Sequence, residues 1–144
     1  MITKKEIDIK ITSDMPPAEV YLKAVEMFGV DFFKGIIFTV NDTIYVDKGK
    51  LSADLFEHES THVKQQNEMG WKEWWKEYFK NEDFRYSQEL EAYRNQYAFI
   101  KRNVKDRNKV AKYLDYFASD LSGAMYGKIK GKTDALIDIK SKLW

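Results

Sequence analysis

The chain has no cysteine, two prolines, two histidines and no long uninterrupted apolar run among its 144 residues. Without cysteine it can form neither a disulfide nor a thiolate metal site, so any bound metal must be held by imidazole and carboxylate. No segment reaches the ~18 apolar residues that a membrane span requires. The N-terminal "MITKKEIDIKI" alternates polar with apolar residues and lacks the continuous apolar core of a secretion signal, so a cytoplasmic protein without a membrane span is expected. Neither sign of charge dominates, with 24 Lys and Arg against 23 Asp and Glu for a formal net charge of +1. No basic block stands apart from acidic neighbours, and nothing points to nucleic acid as a partner.

What is present suits one ordinary domain over residues 1–144: 44% hydrophobic and 33% charged residues, in a length that buries a core without staples. Ile7, Ile9 and Ile11 alternate with Glu6, Asp8, Lys10 and Thr12, which predicts a strand with one buried face. "DMPPAEVYLKAVEMFG" then predicts a helix capped by Asp14, with Val20, Leu22, Ala24, Val25 and Phe28 as its apolar set and Gly29 as its stop. "GIIFTV" and "TIYVD", separated by "ND", read as a hairpin. From Ser52 the period becomes helical, with helices expected near 52–69, 71–80, 84–103, 106–121 and 133–143, and with Gly70, Gly123, Gly127 and Gly131 at their ends. A small N-terminal sheet or hairpin followed by a mainly helical bundle is an α+β pattern. In "WKEWWKEYFK", Trp71, Trp74, Trp75, Tyr78 and Phe79 share a face; the opposite face balances Lys with Glu, which favours packing in the domain or a cleft wall over a lipid surface.

Both histidines fall in "LFEHESTHVKQQ" as His58 and His62, with Glu59 directly after the first. On a helix, residues four apart lie one turn apart on one face, so two imidazoles can reach one ion. Glu59 is rotated by roughly 100° and can hydrogen-bond a metal-held water without ligating. Zinc hydrolysis needs this division of labour: the ion lowers the water's pKa towards ~7 and polarises the carbonyl, while the carboxylate moves the proton to the leaving amine. The bland reading is a surface helix with two incidental imidazoles. Random placement gives this arrangement about once in a thousand such chains, so the metal reading is preferred.

A catalytic zinc takes three protein ligands and keeps one open position. Where some zincins place a turn-making glycine and a third histidine, this chain has Gln65 and Glu68, and Glu68 in a continuing helix is rotated by about 80° from His58. "RYSQELEAYRNQY" is the better source, since Glu89 and Glu91 lie in a second helical pattern that can fold back against the first.

At these residues the chain resembles the gluzincin clan of zinc metallopeptidases, and most of all its minimal single-domain members found in bacterial and phage genomes, whose pattern reads H-E-x-x-H-V-x-Q followed by E-x-E-A. The resemblance covers about Ile36 to Gln96. It implies a single compact zincin-like domain over 1–144, a Zn2+ ion held by His58, His62 and Glu89, the first glutamate of the second motif, and Glu59 as general base. Glu91 is the reserve ligand. Several gluzincins carry an aspartate four residues after the ligand glutamate to orient a ligand histidine; Tyr93 stands there in this chain, where a phenol can accept that hydrogen bond more weakly or only pack. The strand before the active-site helix is expected to offer an edge to a peptide or protein substrate. With no third histidine, the oxyanion-side donor falls to a Tyr or Arg or is missing.

The sequence therefore predicts a zinc metallopeptidase. The alternative keeps the zinc without catalysis, as a phage or prophage structural or host-interaction protein on a gluzincin-like scaffold; a metal-free helical binding domain is the third reading. Oligomeric state is not readable from the chain.

Overall fold

A computed structural model describes residues 8–123, 126 and 128–141. The expectations at Glu6, Ile7 and Gly127 lie outside the described residues; the last helix, expected over 133–143, ends at Lys140, where Ser141 turns to an extended ψ of 138°. In chain order the elements are β1 (Lys10–Thr12), α1 (Ala18–Phe28), β2 (Phe38–Val40), β3 (Thr43–Tyr45), α2 (Ala53–Met69), α3 (Trp71–Lys80), α4 (Glu82–Asn103), α5 (Arg107–Leu121) and α6 (Lys132–Lys140). The fold is α+β: a small N-terminal sheet followed by helices.

The hairpin forms where "ND" predicts it. Asn41 takes the left-handed φ of 59° that a tight turn needs, and β2 pairs antiparallel with β3 in the register Phe38↔Tyr45, Thr39↔Ile44, Val40↔Thr43. β1 joins parallel on the other side, giving the order β1-β3-β2. Its expected buried face is not there: Ile11 is 42% exposed, whereas Phe38, Val40 and Ile44 are buried. The helices cover the β2–β3 side, and β1 packs on β3 and the 3-10 turn at Asp47–Gly49, so its alternation meets no core.

Asp14 does not cap α1. The residue before a proline is pushed out of the helical region, so Pro16 and Pro17 delay the start to Ala18, with Pro17 extended at φ −52°, ψ 135°. Of the expected apolar set, Val20 and Ala24 are buried and Phe28 packs against the core, while Leu22 and Val25 face outward. A helix one layer thick buries a single stripe, and residues 20, 24 and 28 are that stripe.

The aromatic face of α3 packs inward, with Trp74, Trp75 and Tyr78 buried and Trp71 and Phe79 against the core. Gly70 ends α2 and starts α3 at once, at φ 92° and ψ 131°, a conformation side chains resist. α4 begins at Glu82, two residues before the expected start, because the Asn81 side chain accepts from the Phe84 N–H. On α5, Leu114, Phe117 and Leu121 are buried and Tyr113 is exposed. α6 is tied to α4 by Tyr86, whose hydroxyl donates to Asp138 Oδ2 (2.7 Å), and by Arg94, whose Nε donates to the Asp138 carbonyl (2.8 Å). Among the described residues no helix is long and apolar enough to cross a membrane.

Candidate metal centre

α2 presents His58 and His62 on its buried face, with ring centroids 5.1 Å apart. α4 packs along α2 and brings Glu89 to both: Glu89 Oε1 lies 3.0 Å from His58 Nε2 and 2.9 Å from His62 Nε2. One ligand atom from each of the three lies within 4.8 Å of the others, and all three residues are buried.

The other ring nitrogens fix the tautomers. His58 Nδ1 is 2.9 Å from Gln96 Oε1, and the Gln96 amide is turned that way because its Nε2 donates to Asp54 Oδ2 (2.8 Å). His62 Nδ1 is 2.8 Å from Gln65 Oε1, while Gln65 Nε2 donates to the Gln88 carbonyl and to Glu91 Oε1, each at 3.0 Å. An amide oxygen only accepts, so each Nδ1 carries a hydrogen and the Nε2 atoms are the ones turned to Glu89. Two imidazole lone pairs and a carboxylate oxygen at this spacing repel one another unless a proton or a metal cation lies between them. The donor set of two imidazoles and one carboxylate suits zinc.

The proton affinities express the same demand. Burial alone lowers the pKa of His62, but the Glu89 carboxylate, with help from Glu59 and Gln65, raises it to about 9. Burial pushes the Glu89 carboxyl up, yet the two histidines hold it well below the usual carboxylate range. The second oxygen of Glu89 is also fixed: the Tyr78 hydroxyl donates to Oε2 at 2.5 Å, and Arg85 Nε in turn donates to the Tyr78 carbonyl at 2.7 Å.

Glu59 stays out of the three-atom cluster. Its Oε1 accepts from the Thr39 hydroxyl at 2.9 Å, and its Oε2 is 3.8 Å from His58 Nε2. Glu91 serves Gln65, and Glu68 is exposed near the end of α2. Tyr93 does not take the hydrogen bond of a ligand histidine. Its ring packs edge-on against His58 with centroids 4.6 Å apart and its hydroxyl donates to Asp120, so the acceptor for His58 is one turn further along α4, at Gln96.

These groups line a cavity of ≈ 240 Å³ closed on one side by residues 35–39, on another by α3 through Trp74, Trp75 and Tyr78, and on a third by α5 through Tyr116, Phe117 and Asp120. Tyr126, buried, lines it too; burial and the nearby Glu89, Asp120 and Glu59 carboxylates push its phenol well above the usual range.

Sequence reasoning missed Thr39, Asp54, Gln65, Tyr78, Gln96 and Tyr126. Three of these carried a signal: Asp54 is four residues before His58, Gln65 three after His62 and Gln96 seven after Glu89, spacings that keep each on the site's side of its helix. Thr39, Tyr78 and Tyr126 reach the site from other elements. Compared with known proteins, the chain matches no family model, no curated protein and no solved structure.

Proposed function

We propose that the protein is a zinc-dependent metallopeptidase in which His58, His62 and Glu89 hold the ion and Glu59 is the general base. The observation that carries this reading is the convergence of His58 Nε2, His62 Nε2 and Glu89 Oε1, with a carboxylate beside them that is held back from the cluster. A zinc ion held by three protein ligands supplies an activated water near neutral pH and polarises a substrate carbonyl.

The chain's own residues supply the rest. Glu59 accepts the proton of the attacking water at Oε2, the oxygen left free by Thr39, and delivers it to the departing amine. Gln96 and Gln65 keep both Nδ1 hydrogens in place, so the imidazoles do not tautomerise away from the cluster. Tyr78 anchors the spare oxygen of Glu89. Tyr126, a phenol kept protonated among carboxylates on the cavity wall, is the group suited to donate to a developing oxyanion. The aromatic and aliphatic walls exclude water and favour apolar side chains next to the scissile bond.

The test is a mixed peptide library treated with wild type, Glu59→Gln and chelator-treated wild type. Cleavage by wild type alone is expected, with Glu59→Gln retaining about one zinc per chain and losing roughly 10²-fold or more in activity. Equal cleavage by Glu59→Gln would overturn the assignment of the base. Zinc bound at one per chain without cleavage would favour the non-catalytic zinc-binding reading.

A further inference from the structure

Thr39 is the middle residue of β2 and is 3% exposed. Its carbonyl is turned out of the ladder and accepts two side-chain N–H groups, Gln66 Nε2 from α2 at 2.7 Å and Trp75 Nε1 from α3 at 3.0 Å. The same Gln66 accepts the Asn41 N–H at 2.6 Å, so the strand and its turn are fastened to the two helices on either side of the cavity. From this fixed point the Thr39 hydroxyl donates to Glu59 Oε1 at 2.9 Å.

Glu59 has two chemically distinct fates. It stands next to His58 in the chain, and its Oε2 is 3.8 Å from the ring nitrogen that faces Glu89. A carboxylate oxygen ligates zinc at about 2.0–2.2 Å, so a small swing of the side chain would convert the base into a further ligand and fill the position that water needs. A donor on Oε1, held by a strand that cannot follow the swing, opposes it. A hydrogen bond to a charged acceptor is stronger than one between neutral groups, enough to decide between two nearby rotamers.

We propose that Thr39 is a positioning residue that keeps Glu59 as a base and prevents it from becoming a ligand. The inference rests on the assignment of Glu59 as general base, yet it makes a separate claim, that a strand residue sets which job the carboxylate performs.

A double-mutant cycle in cobalt-loaded protein tests it. Wild type, Thr39→Val, Thr39→Ser, Glu59→Gln and the Thr39→Val/Glu59→Gln pair are titrated with acetohydroxamate, which needs the open metal position, while the visible cobalt spectrum reports coordination. Thr39→Val preserves volume and β-branching; it should keep one cobalt per chain, change the spectrum, and weaken acetohydroxamate about tenfold because Glu59 now competes for the position. Thr39→Ser, which restores the hydroxyl, should lie within about twofold of wild type. In the Glu59→Gln background the valine substitution should have no effect, since no carboxylate remains to swing. An equal effect of Thr39→Val in both backgrounds, or none in the wild-type background, overturns the proposal; Thr39→Ala carries the same expectations should the valine variant not fold. If the coupling appears while Glu59→Gln still cleaves peptides, the base assignment fails and the role of Thr39 in holding Glu59 off the metal stands.

Discussion

The two faces of this molecule invert the usual distribution of side chains. Where α2 meets α4 and β2, the buried residues include His58, Glu59, His62, Gln65, Gln66, Glu89, Gln96 and Thr39. Along β1, α1 and the turn that follows, Ile11, Met15, Leu22, Val25, Met27 and Phe33 are exposed. Buried polar groups stabilise little even when fully paired, and cost several kcal/mol when a partner is missing. The α2–α4 face therefore adds little to stability, which rests on the aromatic core beside it, in which Trp74 stacks on Tyr78 and Phe117 packs on Tyr93.

The comparison breaks most completely at a ligand. His62→Ala should reduce zinc from about one per chain to near none, as should Glu89→Ala, because two remaining ligands hold zinc poorly. Glu91→Ala should keep its zinc. Elemental analysis of the purified variants decides this, and zinc undiminished in His62→Ala would remove the site.

Next in size is a pH effect confined to metal-stripped protein. The folded pKa of His62 is raised from 6.5 to about 9. A raised pKa gives stability that is fully present below pH 6.5 and disappears as pH rises through about 9, here roughly 3 kcal/mol at most. The lowered proton affinity of Glu89 is the same interaction seen from the other partner and is not a second contribution. Urea midpoints of chelator-treated protein should therefore fall between about pH 6.5 and 9.5, while zinc-loaded protein, with the ion in the proton's place, should not show that loss. Parallel slopes in the two forms would contradict the exchange of proton for metal.

A smaller effect is expected one step out from the ligands. Gln96→Ala should weaken zinc binding by about 10–100-fold, measured by competition with a chromophoric chelator. On the opposite face the expected change is close to zero: Leu22→Lys, at a side chain 64% exposed, should move stability by less than about 0.5 kcal/mol by denaturant titration. A large loss there would show that the exposed apolar face is packed against something in solution.

The legible parts of the fold were those fixed by local chemistry. The aromatic stripe of α3, the Asn41–Asp42 turn and the α2 boundary at Gly70 are each decided by spacing or by a residue with a special backbone preference, and the structure places them where the pattern does. The misread parts depended on neighbours. Ile11 alternates like a core residue but faces no helix, and Asp14 has the chemistry of a cap but is separated from its helix by two prolines. In the site the same division holds. The His58–His62 pair is a local signal, whereas Thr39 and Tyr78 reach Glu59 and Glu89 through tertiary packing that no spacing encodes.

The joints of the site-bearing segment carry a consequence for chain entropy. α2, α3 and α4 run from Ala53 to Asn103 with only Gly70 and Asn81 between them. Closing a loop costs free energy that grows with its length, and here His62 is brought to Glu89 by two single-residue bends and a ten-residue rigid helix. Little disorder is left to be lost when the three candidate ligand atoms meet, so a cation arriving there would find a chelate whose geometry has already been settled by the backbone.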